Sequence, residues 1–272
     1  MKQRQLKWGI IFSYISIILN TLYGLFLTPY MVGCLGEAEY GVYKTIAALT
    51  AALMIMDMGI GSTVMRYVAK YKASGEDEKI PNFVAMNLIQ ATILSGGILL
   101  VGAGIFQTIE PMYSETFTND QITKAKLLFV LLLGNMILHV FENVFNGVIT
   151  GHNQFVFGNG IKVLRILLRS ALIVAVLNIF KNSVALVLID IAITVLFLIV
   201  ELCYIKLALN VKIKFSKWEK HVFLESGKYT LLMFLTSIAA QVNNNLDNVV
   251  IGSLSGPELV TIYSMGLLIF GM

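Results

Sequence analysis

Charge is scarce in this sequence. Lys, Arg, Asp and Glu make up 13% of the 272 residues, about half the usual share in a soluble domain, while 57% are hydrophobic. That leaves too little ionised surface for an ordinary soluble enzyme and too much apolar surface for a disordered chain. Only two cysteines occur, Cys34 and Cys203, and neither sits in a Cys-x-x-Cys or His-rich spacing. A disulfide scaffold is thereby excluded, and nothing in the cysteines suggests a metal site. No phosphate-cradling GxxxxGK[ST] loop and no GxSxG elbow occurs. Basic and aromatic residues do not interleave on an exposed face, so the net charge of +4 gives no sign of nucleic acid as a partner.

What the chain has is long apolar runs. A bilayer core about 30 Å thick needs roughly 20 apolar residues of helix. Seven segments meet that need: 8–32, 41–66, 83–108, 126–150, 156–180, 184–208 and 227–252. An eighth opens near Leu259. The first run follows Lys2, Arg4 and Lys7 but is too long for a signal peptide, and it reads as a spanning helix. Lys and Arg crowd one side of this topology, from Arg66, Lys70, Lys72 and Lys79 to Lys206, Lys212, Lys214, Lys217, Lys220 and Lys228. The other side holds Lys124, Lys126 and Lys181, with Lys44 near it. This bias predicts a cytoplasmic N-terminus in a multi-pass protein of the plasma membrane. The stretch from Lys212 to Lys228, with Trp218 and Phe223, reads either as a short amphipathic helix on anionic headgroups or as a solvated basic linker.

Two turns repeat. Gly33, Leu35, Gly36 and Tyr43 match Gly252, Leu254, Gly256 and Tyr263 once Ser255 is treated as an insertion. Each turn follows one span and opens the next, and six helices separate them, so the copies share one orientation. That predicts an all-α membrane bundle: a six-helix lobe (1–210), a basic linker (211–226), and the start of a second, parallel lobe (227–272).

The turn Asp247-x4-Gly252-x3-Gly256-x6-Tyr263 resembles the seventh-to-eighth helix signature of bacterial polysaccharide flippases. Leu35-Gly36-x3-Tyr40-Gly41 and Asp57-Met-Gly59-x6-Arg66-Tyr-Val-Ala69 resemble the same family at the first turn and at the inner end of the second helix. These are the O-antigen-flippase-like members of the multidrug/oligosaccharidyl-lipid/polysaccharide (MOP) export superfamily. The resemblance implies two six-helix lobes, so Met272 is expected to fall inside the eighth span of a longer or truncated product. It implies a flippase for polyprenyl-diphosphate-linked oligosaccharide, without cofactor. Polysaccharide-assembly enzymes and membrane lipid are the implied partners. The rivals are a multidrug cation exporter of the same superfamily and a membrane-embedded sugar- or phosphotransferase. The transferase would need a carboxylate cluster at a membrane face, for which only Glu76-Asp77-Glu78 qualifies.

Ionisable groups inside a membrane are expensive and normally face the bundle interior or water. Asn135, His139, Glu142 and Asn146 share one stripe of the fourth helix, and Lys162, Arg165 and Arg169 one face of the fifth. In an antiparallel hairpin turning near Asn153, Glu142 and Arg165 lie at equal depth and should pair. Arg169 meets no carboxylate at its level on helix four. The cations are therefore candidates for binding a diphosphate, with Asn135 and Asn146 lining the same cavity or bonding to neighbouring helices. Asp57, His139 and Glu142 are candidates for a coupling ion. Asp247 is a candidate for sugar hydroxyls, and the spacing of Asp190 and Glu201 decides nothing. His139-x-x-Glu142 lacks a third ligand, so no metal is expected. Gly147-x-x-x-Gly151 reads as a helix-packing motif.

Overall fold

In a bilayer the backbone must satisfy its own hydrogen bonds, and a helix does so within a single apolar run. The computed structural model describes the backbone of residues 2–53 and 59–270. Within them it describes the side chains other than those at 2–3, 52, 232–246 and 268–270. Among these residues the chain is helical without a strand. The helices are α1 (Lys2–Leu22), α2 (Thr28–Leu35), α3 (Glu37–Leu53), α4 (Ile60–Ala73), α5 (Ile80–Tyr113), α6 (Asn119–Gly151), α7 (Phe155–Leu177), α8 (Ser183–Leu207), α9 (Lys220–Ser255) and α10 (Pro257–Phe270). A π-helical segment, Tyr23–Leu27, joins α1 to α2 within the first span. α3 and α4 form the second span on either side of residues 54–58, so Asp57 lies outside the described residues.

Among the described residues, four helical runs are by themselves long and apolar enough to cross a membrane: Arg4–Leu35, Asp77–Tyr113, Asn119–Gly151 and Ser183–Leu207. α7 is interrupted by Lys162, Arg165 and Arg169. α5 and α6, with 34 and 33 residues, extend about 50 Å at 1.5 Å per residue and so project beyond the hydrocarbon core.

α6 is the centre of the lobe, packed on α3, α4, α5 and α8, while α7 bridges α1 and α8. The approach of α4 to α6 needs glycine. A Cβ on Gly147 would stand 2.6 Å from the Gly61 carbonyl oxygen, and one on Gly151 2.8 Å from Val68 Cβ. The Gly147-x-x-x-Gly151 spacing is thus a packing motif in fact. α6 starts at a capping box in which Thr118 Oγ1 accepts from Gln121 N and Gln121 Oε1 accepts from Thr118 N.

The repeated turns have the same backbone. Gly36 and Gly256 end their helices at φ 84° and 87°, a left-handed region open to glycine at little cost. The two turns also meet. A Cβ on Gly41 would lie 1.8 Å from the Pro257 carbonyl oxygen, and Thr261 Oγ1 donates to the Glu37 carbonyl at 2.8 Å. In the alignment set by the two glycines, Gly41 matches Thr261 and Glu37 matches Pro257. Each copy therefore touches the same carbonyl of the other, as a local two-fold axis requires.

Of the two alternatives for the stretch from Lys212, the linker holds over its first half. Residues 210–219 are non-helical, and the helix begins at Lys220 rather than 227. Asn82 clamps this segment: its Oδ1 accepts from Ser216 N and Lys217 N, and its Nδ2 donates to the Lys217 carbonyl at 2.9 Å. Those backbone groups are satisfied by α5 instead of by a helix of their own. Trp218 and Phe215 remain half exposed on this strap, at 50% and 49%.

Candidate functional site

The tight turn between α6 and α7 sets the site. His152 ends α6, Asn153 takes φ 59°, where Asn is favoured among non-glycine residues, and α7 starts at Phe155. With that register fixed, Glu142 meets Arg165 as expected. Arg165 Nη1 donates to Glu142 Oε2 at 3.2 Å and Nη2 donates to Oε1. His139 Nδ1 lies 2.8 Å from Oε2 of the same carboxylate, and the guanidinium rests 5.0 Å from the Phe197 ring. His139, Glu142 and Arg165 thus form one cluster, with the Glu142 side chain 9% exposed.

Arg169 is also occupied. Its Nε and Nη2 donate to Asp190 Oδ1 and Oδ2 at 2.5 and 2.8 Å, and its Nη1 donates to Tyr23 Oη at 2.5 Å. Its carboxylate comes from α8, since α6 offers none at that level. Tyr23 lies on the π segment, so this cluster ties the bend of the first span to α7 and α8. The reading of Arg169 as a fork open to a ligand is therefore corrected: Asp190 fills it, as Glu142 fills that of Arg165, and each pair is locally neutral.

Lys162 differs. It is exposed and lines a cavity of about 390 Å³ with Gly61, Ser62, Met65, Asn143, Asn146, Gly147 and Thr150. No carboxylate is among these residues. Thr150 Oγ1 donates to Asn146 Oδ1 at 3.3 Å on the cavity wall. The chemistry on offer is one ammonium, two amides and two hydroxyls, a donor-rich set suited to an oxyanion. Ser62, Asn143 and Thr150 were not singled out from the sequence. The available signal was that they flank Gly61 and Gly147, the residues that bring α4 and α6 close enough to form a common wall.

The other candidates lie elsewhere. Asn135 is buried higher on α6, and its Oδ1 has no partner among the described residues. Asp247 is exposed on α9 near the Gly256 turn, where Tyr263 Oη donates to it at 2.5 Å. Glu76, Asp77 and Glu78 sit in a single 3₁₀ turn. Glu76 accepts from Lys79, which its carboxylate holds above the ordinary lysine range, and Asp77 lies 3.7 Å from Lys72. Among the described residues, no three His, Cys, Asp or Glu side chains come together as metal ligands would.

Comparison with known families and structures adds the following. A family model described as polysaccharide biosynthesis protein matches residues 6–269. No match was found among curated proteins. The fold is similar to that of a MOP superfamily transporter from Pyrococcus furiosus (TM-score 0.68, 17% identity). That match covers 98% of this chain and 63% of that one. It is also similar to an inward-facing multidrug resistance MATE family transporter of the MOP superfamily (TM-score 0.72, 17% identity), over 94% of this chain and 60% of that one. The outward-facing conformation of such a transporter matches as well (TM-score 0.72, 18% identity), over 98% and 63%. The chain thus spans about three fifths of the length of these structures, and at this identity the likeness is one of fold.

Proposed function

We propose, from the premise that this chain belongs to the polysaccharide biosynthesis protein family, that it is the first lobe and second-lobe opening of a flippase. The substrate is a polyprenyl-diphosphate-linked oligosaccharide. It moves between leaflets of the bacterial plasma membrane, with the N-terminus cytoplasmic. The observation that carries this reading is the Lys162 cavity, a donor-rich wall holding a cation and no acid. A diphosphate presents clustered oxyanions to such a wall, and Asn143, Asn146, Ser62 and Thr150 would supply its neutral donors. Arg165 and Arg169 would add positive potential from behind their carboxylates and engage the substrate only by exchanging Glu142 or Asp190 for it. Asn135 would complete the polar lining above Asn146, and Asp247 would receive sugar hydroxyls at the outer turn. Asp57, His139 and Glu142 remain the coupling candidates from the sequence. Polysaccharide-assembly enzymes would supply and consume the substrate.

The multidrug-cation reading has support from the names of the structural neighbours. It is disfavoured here because a cation would meet Lys162 with no acid on the wall to offset it. The transferase reading finds its one acidic cluster in an exposed turn beside Lys72 and Lys79. The test is surface polysaccharide export in a complemented strain. Lys162→Gln is expected to lower export and Lys162→Arg to keep it. Export unchanged by Lys162→Gln contradicts the reading.

A further inference from the structure

Glu201 lies on α8 with 0% exposure, and neither of its carboxyl oxygens has a hydrogen-bond partner among the described residues. An ionised carboxylate without partners in an apolar interior loses its solvation at great cost, and the neutral acid loses far less. The helices packed on α8 are α6, α7 and α3. From α6, Glu142 and Asn146 face Glu201; from α7, Arg165 and Lys162 do. α3 meets α8 at its opposite end, where Glu39 accepts from Ser183 N at 2.6 Å. Arg165 is already engaged by Glu142, and Asn146 and Lys162 are wall residues of the cavity. Glu201 is therefore a carboxyl one layer behind a polar wall, next to a cation, Arg165, for which it competes with Glu142.

We infer that Glu201 is a proton-binding site of this lobe, exchanging one proton with water in the Lys162 cavity. In the loaded form it is a neutral acid. On release the O–H bond breaks, the proton leaves past Asn146 to cavity water, and the electron pair stays on the carboxylate, which then draws on Arg165 and Lys162. An oxyanion at Lys162 favours the loaded form by like-charge repulsion, so proton and anion occupancy are coupled reciprocally. That coupling rests on the proposed anion site; the protonation itself does not.

The test is a pH titration of the purified chain in lipid nanodiscs by infrared difference spectroscopy. A protonated-carboxyl C=O band is expected at neutral pH. It should titrate away as pH rises, be missing from Glu201→Gln and be retained in Asp190→Asn, whose carboxylate pairs with Arg169 and not with the groups around Glu201. Gln has the shape of the neutral acid, so the variant should fold. The wild-type spectrum decides on its own if it does not: absence of the band overturns the proposal, as does its survival in Glu201→Gln. No substrate is needed, so a failed anion site at Lys162 leaves this result standing, and the reverse also holds.

Discussion

Arg169 and Lys162 lie two turns apart on one face of α7, yet they live in different chemistry. At the Arg169 level three helices converge, and the guanidinium is filled by Asp190 and Tyr23. At the Lys162 level α4 and α6 are drawn together by glycine, and the cavity wall carries amides and hydroxyls with no carboxylate, Glu201 lying behind it. A cation in a membrane is tolerated either by pairing or by water. This hairpin uses both solutions in sequence, the paired half holding the helices and the unpaired half facing a cavity.

The comparison can be broken first at its strongest point. Glu142→Gln removes the carboxylate that fills the fork of the partly buried Arg165, which should lower stability by about 3 kcal/mol. Replacing both partners by Met and Leu should recover most of that. Thermal unfolding in detergent reads both, and a double replacement no better than the single would show that the pair does not hold the hairpin. Asp190→Asn should cost less, about 2 kcal/mol, because Arg169 keeps its hydrogen bond to Tyr23. Equal losses for the two substitutions would erase the ranking. The smallest effect concerns the turn that sets the register. Burial holds His152 below the ordinary imidazole value of 6.5, with Nδ1 donating to the Val148 carbonyl at 2.8 Å. The unfolded chain therefore binds the proton more readily than the folded one. The turn should be most stable above pH 6.5 and loosen as pH falls below it. Hydrogen exchange at Asn153 and Gln154 measures this, and faster exchange at higher pH beyond the intrinsic rate would contradict it.

Several of these features were legible in the residues alone. Equal depth across an antiparallel hairpin is arithmetic, so the Glu142–Arg165 pair followed from the turn position. The Gly36 and Gly256 turns were legible because a positive φ leaves a glycine at a fixed place in each copy. Asp190 was not assignable to Arg169, because a third helix adds an unknown rotation and rise that spacing along α8 does not supply. The sequence left 212–228 open between a surface helix and a linker because amphipathic composition ignores competitors: Asn82, more than a hundred residues away, supplies hydrogen bonds at 216 and 217 that a helix would have made. The cavity residues Ser62, Asn143 and Thr150 became visible only with the α4–α6 contact, which small residues permit but do not orient.

The most direct measurement is pyrophosphate binding to the purified chain by calorimetry, at low and high salt. Binding that weakens with salt, is lost in Lys162→Gln, and persists in Asp190→Asn is the expected result. Binding of equal strength in the wild type and Lys162→Gln would contradict an anion site at the unpaired end of the hairpin.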